Sequence, residues 1–238
     1  MNKHIHVQAH RGASLERREN SLESFQRALE IGADSIELDI HLLQDGMLTV
    51  YHDFYVPVSF KEKKFVCELQ GKEMQTLGAP TLPEVFEQLK ILGSSKLLWL
   101  DLEIKYLENN TQSPKREAIA DAVLRAVSLH WELSRTRFRS FDWNILKVFQ
   151  KSVPTFQTIP LVGKEESDLL KALELQPEWI APHFSVINER VISWFHRSGV
   201  KLMPYTVNSL SEWKKLSDWG VDGITTDDPR GLLQFLGK

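Results

Sequence analysis

The sequence predicts an α/β fold: a closed (β/α)8 barrel of the TIM type, with a short insertion after the second strand. Two observations carry this. Strand-like and helix-like segments alternate eight times along the chain. The length, 238 residues, fits one large single-core domain, so residues 1–238 are read as a single barrel domain.

The first candidate strand, His4 to His10, runs into His10-Arg11-Gly12, where glycine permits a tight turn. A helical pattern from Ser21 to Ile31 follows and stops at Gly32, a residue suited to a left-handed helix end. The second strand, Ser35 to Ile40, leads to the turn signal Asp45-Gly46, after which Leu48-Thr49-Val50-Tyr51 folds back and carries His52 towards the same mouth. Residues 54–78 match neither period and are expected to form a short cap over the barrel. The alternation then resumes with strands at Leu97 to Ile104, Arg137 to Phe141, Phe156 to Val162, Trp179 to Pro182, Lys201 to Val207 and Gly223 to Thr226. Helical patterns are at Leu82 to Leu92, Arg116 to His130, Trp143 to Gln150, Glu165 to Leu175, Glu189 to Arg197, Leu210 to Trp219 and Arg230 to Leu236. Ser211 with Glu212 signals a helix start, and Gly199 and Gly220 stand just past helix ends.

Composition narrows the function classes. With 42% hydrophobic and 26% charged residues, the chain has apolar material for a sizeable core and no disorder signature. A net charge of -3 without a dense basic run argues against a nucleic-acid partner. The N-terminus enters directly into a strand pattern, and no apolar run approaches the roughly eighteen residues of a membrane span, so a cytoplasmic protein is expected. The single cysteine, Cys67, cannot form an internal disulfide and reads as a small, partly buried apolar residue.

The chemistry lies at the strand ends. Side chains alternate faces along a strand, so Glu37 and Asp39 point one way, as do Asp101, Glu103 and Lys105. Barrel active sites form at the carboxyl ends of the strands, where Asp39, Glu103 and Lys105 emerge. Glu37 sits between Ile36 and Leu38, and Glu103 between Leu102 and Ile104, so each interrupts an apolar strand where an unpaired charge is costly. Together Glu37, Asp39 and Glu103 offer a hard divalent cation, Mg²⁺ or Ca²⁺, its oxygen ligands. Arg11 suits bidentate contact with a phosphate, and His10 with His52 suits an acid and base pair. His130, His183 and His196, without comparable partners, read as structural. His4, His6, Gln8 and His10 share a face of the first strand, but the lower positions lie deep in the barrel or at its far end, which disfavours a histidine metal site there. No glycine-rich nucleotide fingerprint and no Gly-x-Ser-x-Gly elbow is present.

The ordered set AHRGAS at 9–14, EN at 19–20, ADSIELDIHLLQDGMLTVYHD at 33–53, PTLPEVFEQL at 80–89, LEIK at 102–105, RSFDWNIL at 139–146, YTVN at 205–208 and GVDGITTDDP at 220–229 resembles the glycerophosphodiester phosphodiesterase family over nearly the whole chain. The resemblance implies a phospholipase-C-like barrel with one divalent metal at Glu37, Asp39 and Glu103, and His10 with His52 as the catalytic pair. It further implies Arg11 and Lys105 on the phosphate, with Glu19 among the substrate-binding residues, close to the metal and the first histidine. Three positions depart from the family pattern. Ser21 stands where threonine is usual, Tyr205 where tryptophan is usual, and the segment after His52-Asp53 is compact and lacks the Arg-Thr-Thr-Gly-like motif.

The expected activity is metal-dependent hydrolysis of a small-molecule glycerophosphodiester to sn-glycerol 3-phosphate and an alcohol, by a monomer or homodimer. The competing expectations are a lysophospholipid-cleaving phosphodiesterase on the same barrel and, from a different class, a non-catalytic phosphodiester-binding barrel. The last predicts loss of a histidine or a metal carboxylate, and none is lost.

Overall fold

The computed structural model describes residues 4–57, 62–93 and 99–238. Its barrel strands are β1 (His6–Ala9), β2 (Ser35–Leu42), β6 (Trp99–Ile104), β7 (Thr136–Ser140), β8 (Gln157–Val162), β9 (Trp179–Pro182), β10 (Lys201–Leu202) and β11 (Gly223–Thr226). They lie side by side in the order β10-β9-β8-β7-β6-β2-β1-β11, every neighbour parallel. Three backbone bonds bring the two ends together: Asp222 N–H to the Leu202 carbonyl (3.1 Å), Thr225 N–H to Pro204 (3.0 Å) and Val207 N–H to Thr225 (2.9 Å). The result is the predicted (β/α)8 barrel.

The intervening helices are α1 (Leu22–Ile31), α3 (Leu82–Ile91), α4 (Arg116–His130), α5 (Trp143–Ser152), α6 (Ser167–Lys171), α7 (Glu189–Arg197), α8 (Leu210–Asp218) and α9 (Pro229–Phe235). Ser21 caps α1 by accepting the Ser24 N–H at 3.1 Å, and Gly32 closes it at φ 86°. Three expectations are corrected. The strand from Lys201 keeps regular form only to Leu202, because Pro204 has no N–H to donate, although the Met203 and Tyr205 N–H groups still reach β9 carbonyls at 3.0 Å. The Glu165–Leu175 helix divides into α6 and a 3₁₀ turn, Ala172–Leu175, which ends at Gln176 with φ 49°. The N-cap of α8 is Ser209 rather than Ser211. Its hydroxyl donates to Glu212 Oε2 (2.9 Å) and accepts the Glu212 N–H (3.3 Å). Residues 97 and 98 of the candidate strand Leu97 to Ile104 lie outside the described residues.

The segment after β2 begins with β3 (Leu48–Val50), antiparallel on β2. It continues through a hairpin of β4 (Tyr55–Pro57) and β5 (Lys63–Phe65) and the short helix α2 (Gly71–Thr76). Three-residue strands and a six-residue helix are too short to show a period, which is why the sequence left 54–78 unassigned. Val56, Val66, Leu69 and Met74 bury themselves there against Leu43 and Ala79, and residues 58–61 lie outside the described ones.

The main core lies between strands and helices, where Ile36, Leu38, Ile40, Leu100 and Leu102 pack among Phe25, Phe86, Phe138 and Phe149. Inside the barrel the side of β8, β9 and β10 is apolar, with Ile159, Leu161, Ala181 and Met203. The opposite side is a buried polar floor. Arg137 reaches Asp101 through Nε (2.7 Å) and Nη2 (2.9 Å) while lying over the rings of Trp99 and Trp179. The Gln8 amide donates to Asp101 and its carbonyl accepts from Arg139 and from the Thr225 hydroxyl. This network fills the space directly below the mouth.

Candidate active site

Parallel register sets the acids side by side: Glu37 lies next to Asp101, and Asp39 next to Glu103. Asp101 is consumed by Arg137 in the floor, which leaves Glu37, Asp39 and Glu103 as the acids that β2 and β6 present to the mouth. All three are buried, with carboxylate oxygens within 4.8 Å of one another. Asp39 accepts from Asn20 Nδ2 (2.8 Å) and pairs with Lys105 Nζ (3.0 Å) and Arg11 Nε (3.3 Å). Glu103 pairs with the same ammonium at 2.8 Å. Glu37 accepts the backbone N–H of Arg11 through Oε2 (2.9 Å), while its Oε1 is buried with no hydrogen-bond partner. An unpartnered, buried carboxylate oxygen among three acids is the donor chemistry of a hard-cation site.

The electrostatics follow from burial and crowding. Burial, and then the Asp39 charge, push the Glu37 carboxyl above its ordinary range. Burial also opposes ionisation of Asp39, but Lys105 and Arg11 outweigh it and bring that carboxyl down to about 2. Burial works against the Lys105 charge too, and Glu103 with Asp39 more than offset it, so the ammonium stays protonated. The mouth therefore holds both fixed negative and fixed positive charge.

A strained turn delivers Arg11. Both Arg11 (φ 56°) and Gly12 (φ 80°) are left-handed, and a Cβ on residue 12 would overlap Ser24. Ser24 Oγ and the Asn20 N–H both donate to the Arg11 carbonyl, at 2.9 and 3.1 Å, and hold this shape. The guanidinium then meets Glu19 at 2.8 Å, a residue about half exposed. On the other side of the mouth, the Tyr51 N–H bonds the Asp39 carbonyl (3.0 Å) and turns the chain so that His52 follows. His52 Nδ1 lies 2.8 Å from Asp53. His10 Nδ1 lies 2.6 Å from Asp227 Oδ1. Burial disfavours the His10 imidazolium, yet the Asp227 hydrogen bond and the Glu37 charge outweigh that and raise its pKa.

The structure thus collects Arg11, Glu19, Glu37, Asp39, Glu103 and Lys105 into one connected cluster, with His10 joined to it through Glu37 and His52 following the turn held on Asp39. Sequence reasoning missed Asp227, Asn208 and the grip of Asn20 on Asp39. The signal for Asp227 was available, because Thr226-Asp227 ends β11 at the same mouth where His10 ends β1. His196, read as structural, bonds Asp222 at 2.8 Å, just before β11 begins and so at the far end of the barrel. His183 bonds Ser185 at 2.7 Å, and His6 is tied to Ser35 at 2.7 Å within the barrel.

A parallel barrel closing on a mouth of buried carboxylates, a guanidinium and two carboxylate-paired imidazoles defines a barrel enzyme of the phosphoric diester hydrolase class. The model of the glycerophosphoryl diester phosphodiesterase family matches residues 10–230. The chain belongs to that family. It is 31% identical over 247 residues to the glycerophosphodiester phosphodiesterase of Caldanaerobacter subterraneus subsp. tengcongensis, with 98% of each chain covered. A lysophospholipase D of Homo sapiens is 23% identical over 291 residues, covering 99% of this chain and 86% of that one. Among solved structures, a phosphodiesterase of Oleispira antarctica in complex with its product sn-glycerol-3-phosphate superposes with a TM-score of 0.84 at 24% identity, covering 98% of this chain and 96% of that one. Among the described residues, no helix is long and apolar enough to cross a membrane.

Proposed function

We propose that the protein hydrolyses glycerophosphodiesters to sn-glycerol 3-phosphate and an alcohol, using one divalent cation, Mg²⁺ or Ca²⁺, held by Glu37, Asp39 and Glu103. The observation that carries this reading is the unpartnered Glu37 Oε1 in a buried three-carboxylate cluster flanked by Arg11 and Lys105. When bound, the cation supplies Lewis-acid stabilisation of charge on the phosphoryl oxygens. Arg11 and Lys105 grip the phosphate, and Glu19 orients Arg11. One of His10 and His52 takes the proton from the neighbouring glycerol hydroxyl, whose oxygen attacks phosphorus to give a cyclic phosphate. The other gives its proton to the departing alcohol oxygen. Water then opens the ring with the two roles exchanged, which restores both histidines. In this reading residues 1–238 act as one domain and the segment 54–78 caps the mouth, where Phe54 lies 5.5 Å below the Lys105 ammonium.

A second reading, cleavage of lysophospholipids to release the headgroup alcohol, draws on the likeness to the human lysophospholipase D. One experiment covers both. Purified protein is given glycerophosphocholine or lysophosphatidylcholine in EDTA, Mg²⁺ and Ca²⁺ arms, beside Glu37→Ala. The expected result is cation-dependent release of glycerol 3-phosphate from glycerophosphocholine, lost in Glu37→Ala together with calorimetric cation binding. Turnover of the lysolipid alone favours the second reading, and no release in any arm refutes both.

A further inference from the structure

We infer that Asp227, clamped by Asn208, is the positioning residue that fixes His10 for the proposed phosphodiester hydrolysis, an inference that rests on that reading. His10 Nδ1 meets Asp227 Oδ1 at 2.6 Å, so the ring donates from Nδ1 and leaves Nε2 as the nitrogen able to exchange a proton with substrate.

The carboxylate is itself immobilised. Asp227 Oδ2 accepts Asn208 Nδ2 at 2.6 Å. The Asn208 carbonyl accepts the Asp227 N–H at 2.9 Å and the Thr226 hydroxyl at 3.0 Å, so each end of the amide has an assigned partner and the amide cannot turn over. Ser14 Oγ lies 3.1 Å from Asp227 Oδ1 and 2.8 Å from the His10 carbonyl. The backbone holds the two segments in register on both sides, with His10 N–H to the Thr226 carbonyl (2.9 Å) and Leu15 N–H to the Asp227 carbonyl (3.0 Å). The segments that follow β1, β10 and β11 therefore converge on the orientation of one imidazole.

Among the described residues, His52 has no equivalent device. Its carboxylate is the adjacent Asp53, and the two side chains are 36% and 67% exposed, against 14% and 33% for His10 and Asp227. Water competes for the exposed pair, and only the enclosed pair sets tautomer and ring angle. Loss of Asp227 should thus slow turnover without weakening substrate binding, because it misaligns a proton-transfer group and touches no substrate atom.

The test is a double-mutant cycle on the full chain with glycerophosphocholine. Asp227→Asn keeps the shape and removes the charge. We expect kcat to fall by about tenfold or more with KM changed less than about threefold, and with calorimetric cation affinity and the thermal midpoint close to wild type. In a His10→Ala background Asp227→Asn should cost nothing further, because its only route to the reaction is through that ring. Asn208→Ala should give a smaller loss of the same kind, and it carries the cycle if Asp227→Asn does not fold. The inference is overturned if Asp227→Asn keeps at least half the wild-type kcat, or if its cost persists undiminished in the His10→Ala background. A wild type inert towards glycerophosphocholine removes the reaction and this inference with it, whereas an active wild type with an unaffected Asp227→Asn removes the inference alone.

Discussion

Replacing Arg137 by methionine strips one partner from an ion pair that water does not reach. Arg137 and Asp101 are both 0% exposed, joined at 2.7 and 2.9 Å, and the guanidinium lies over Trp99 and Trp179. Methionine fills much of the arginine stem's volume but leaves the Asp101 charge with Gln8 as its remaining hydrogen-bond partner. A buried ion deprived of its counter-charge costs about 3–5 kcal/mol. In a domain of this size each kcal/mol lowers the thermal midpoint by about 2–4 °C, so the expected drop is roughly 6–20 °C. Removing both charges in Asp101→Leu/Arg137→Met should recover most of that loss, since an apolar pair of similar volume is often neutral or better. Thermal and urea unfolding, followed by tryptophan fluorescence and circular dichroism, measure all three proteins. Arg137→Met within about 1 kcal/mol of wild type, or a double variant less stable than the single one, would refute the reasoning.

Two further outcomes are expected. If His52 protonates the departing alcohol, His52→Ala should lose about a hundredfold or more on glycerophosphocholine but far less on a diester whose leaving group is p-nitrophenolate; equal losses on both substrates would remove that role. His6 is held neutral, first by burial and then by the Arg137 charge, so its folded pKa lies well below 6.5. The unfolded chain then takes up a proton near pH 6.5 that the folded one refuses, and this contribution to stability is present above pH 6.5 and is lost as pH falls, by at most about 1.4 kcal/mol per unit. His6→Gln should lack that part of the acid slope in urea unfolding between pH 7 and 5.5, and parallel slopes for the two proteins would count against the assignment.

The barrel was legible because its signal is periodic. Ser35 to Ile40 alternates polar and apolar residues, Trp179 to Pro182 is apolar throughout, and Gly32, Gly199 and Gly220 close helices with φ of 86°, 78° and 79°. Where length fails, so does the period, as in β4, β5 and α2 with three to six residues each. The placing of Glu37, Asp39, Glu103 and Lys105 followed from strand alternation and the strand-end rule. What alternation and the strand-end rule cannot show is pairing: they set Glu103 at the mouth and Asp101 below it, but only register shows that Asp101 is spent on Arg137. The position of Asp227 at the mouth end of β11 was legible, but its bond to His10, 217 positions earlier in the chain, is written in no local pattern.

The closing of the barrel also sets an order of events during synthesis. β1 lies between β2 and β11, and β11 is the last strand to be made. At roughly 5–20 residues per second, the 217 residues between His10 and Asp227 take roughly 10–40 s to emerge. Throughout that interval one edge of β1 has no parallel neighbour, and the imidazole at its end has no carboxylate to orient it. A nascent chain can therefore bring Glu37, Asp39 and Glu103 together well before it can fix His10, so acidic pocket and aligned histidine arise as separate steps, the second only when the ring of strands shuts.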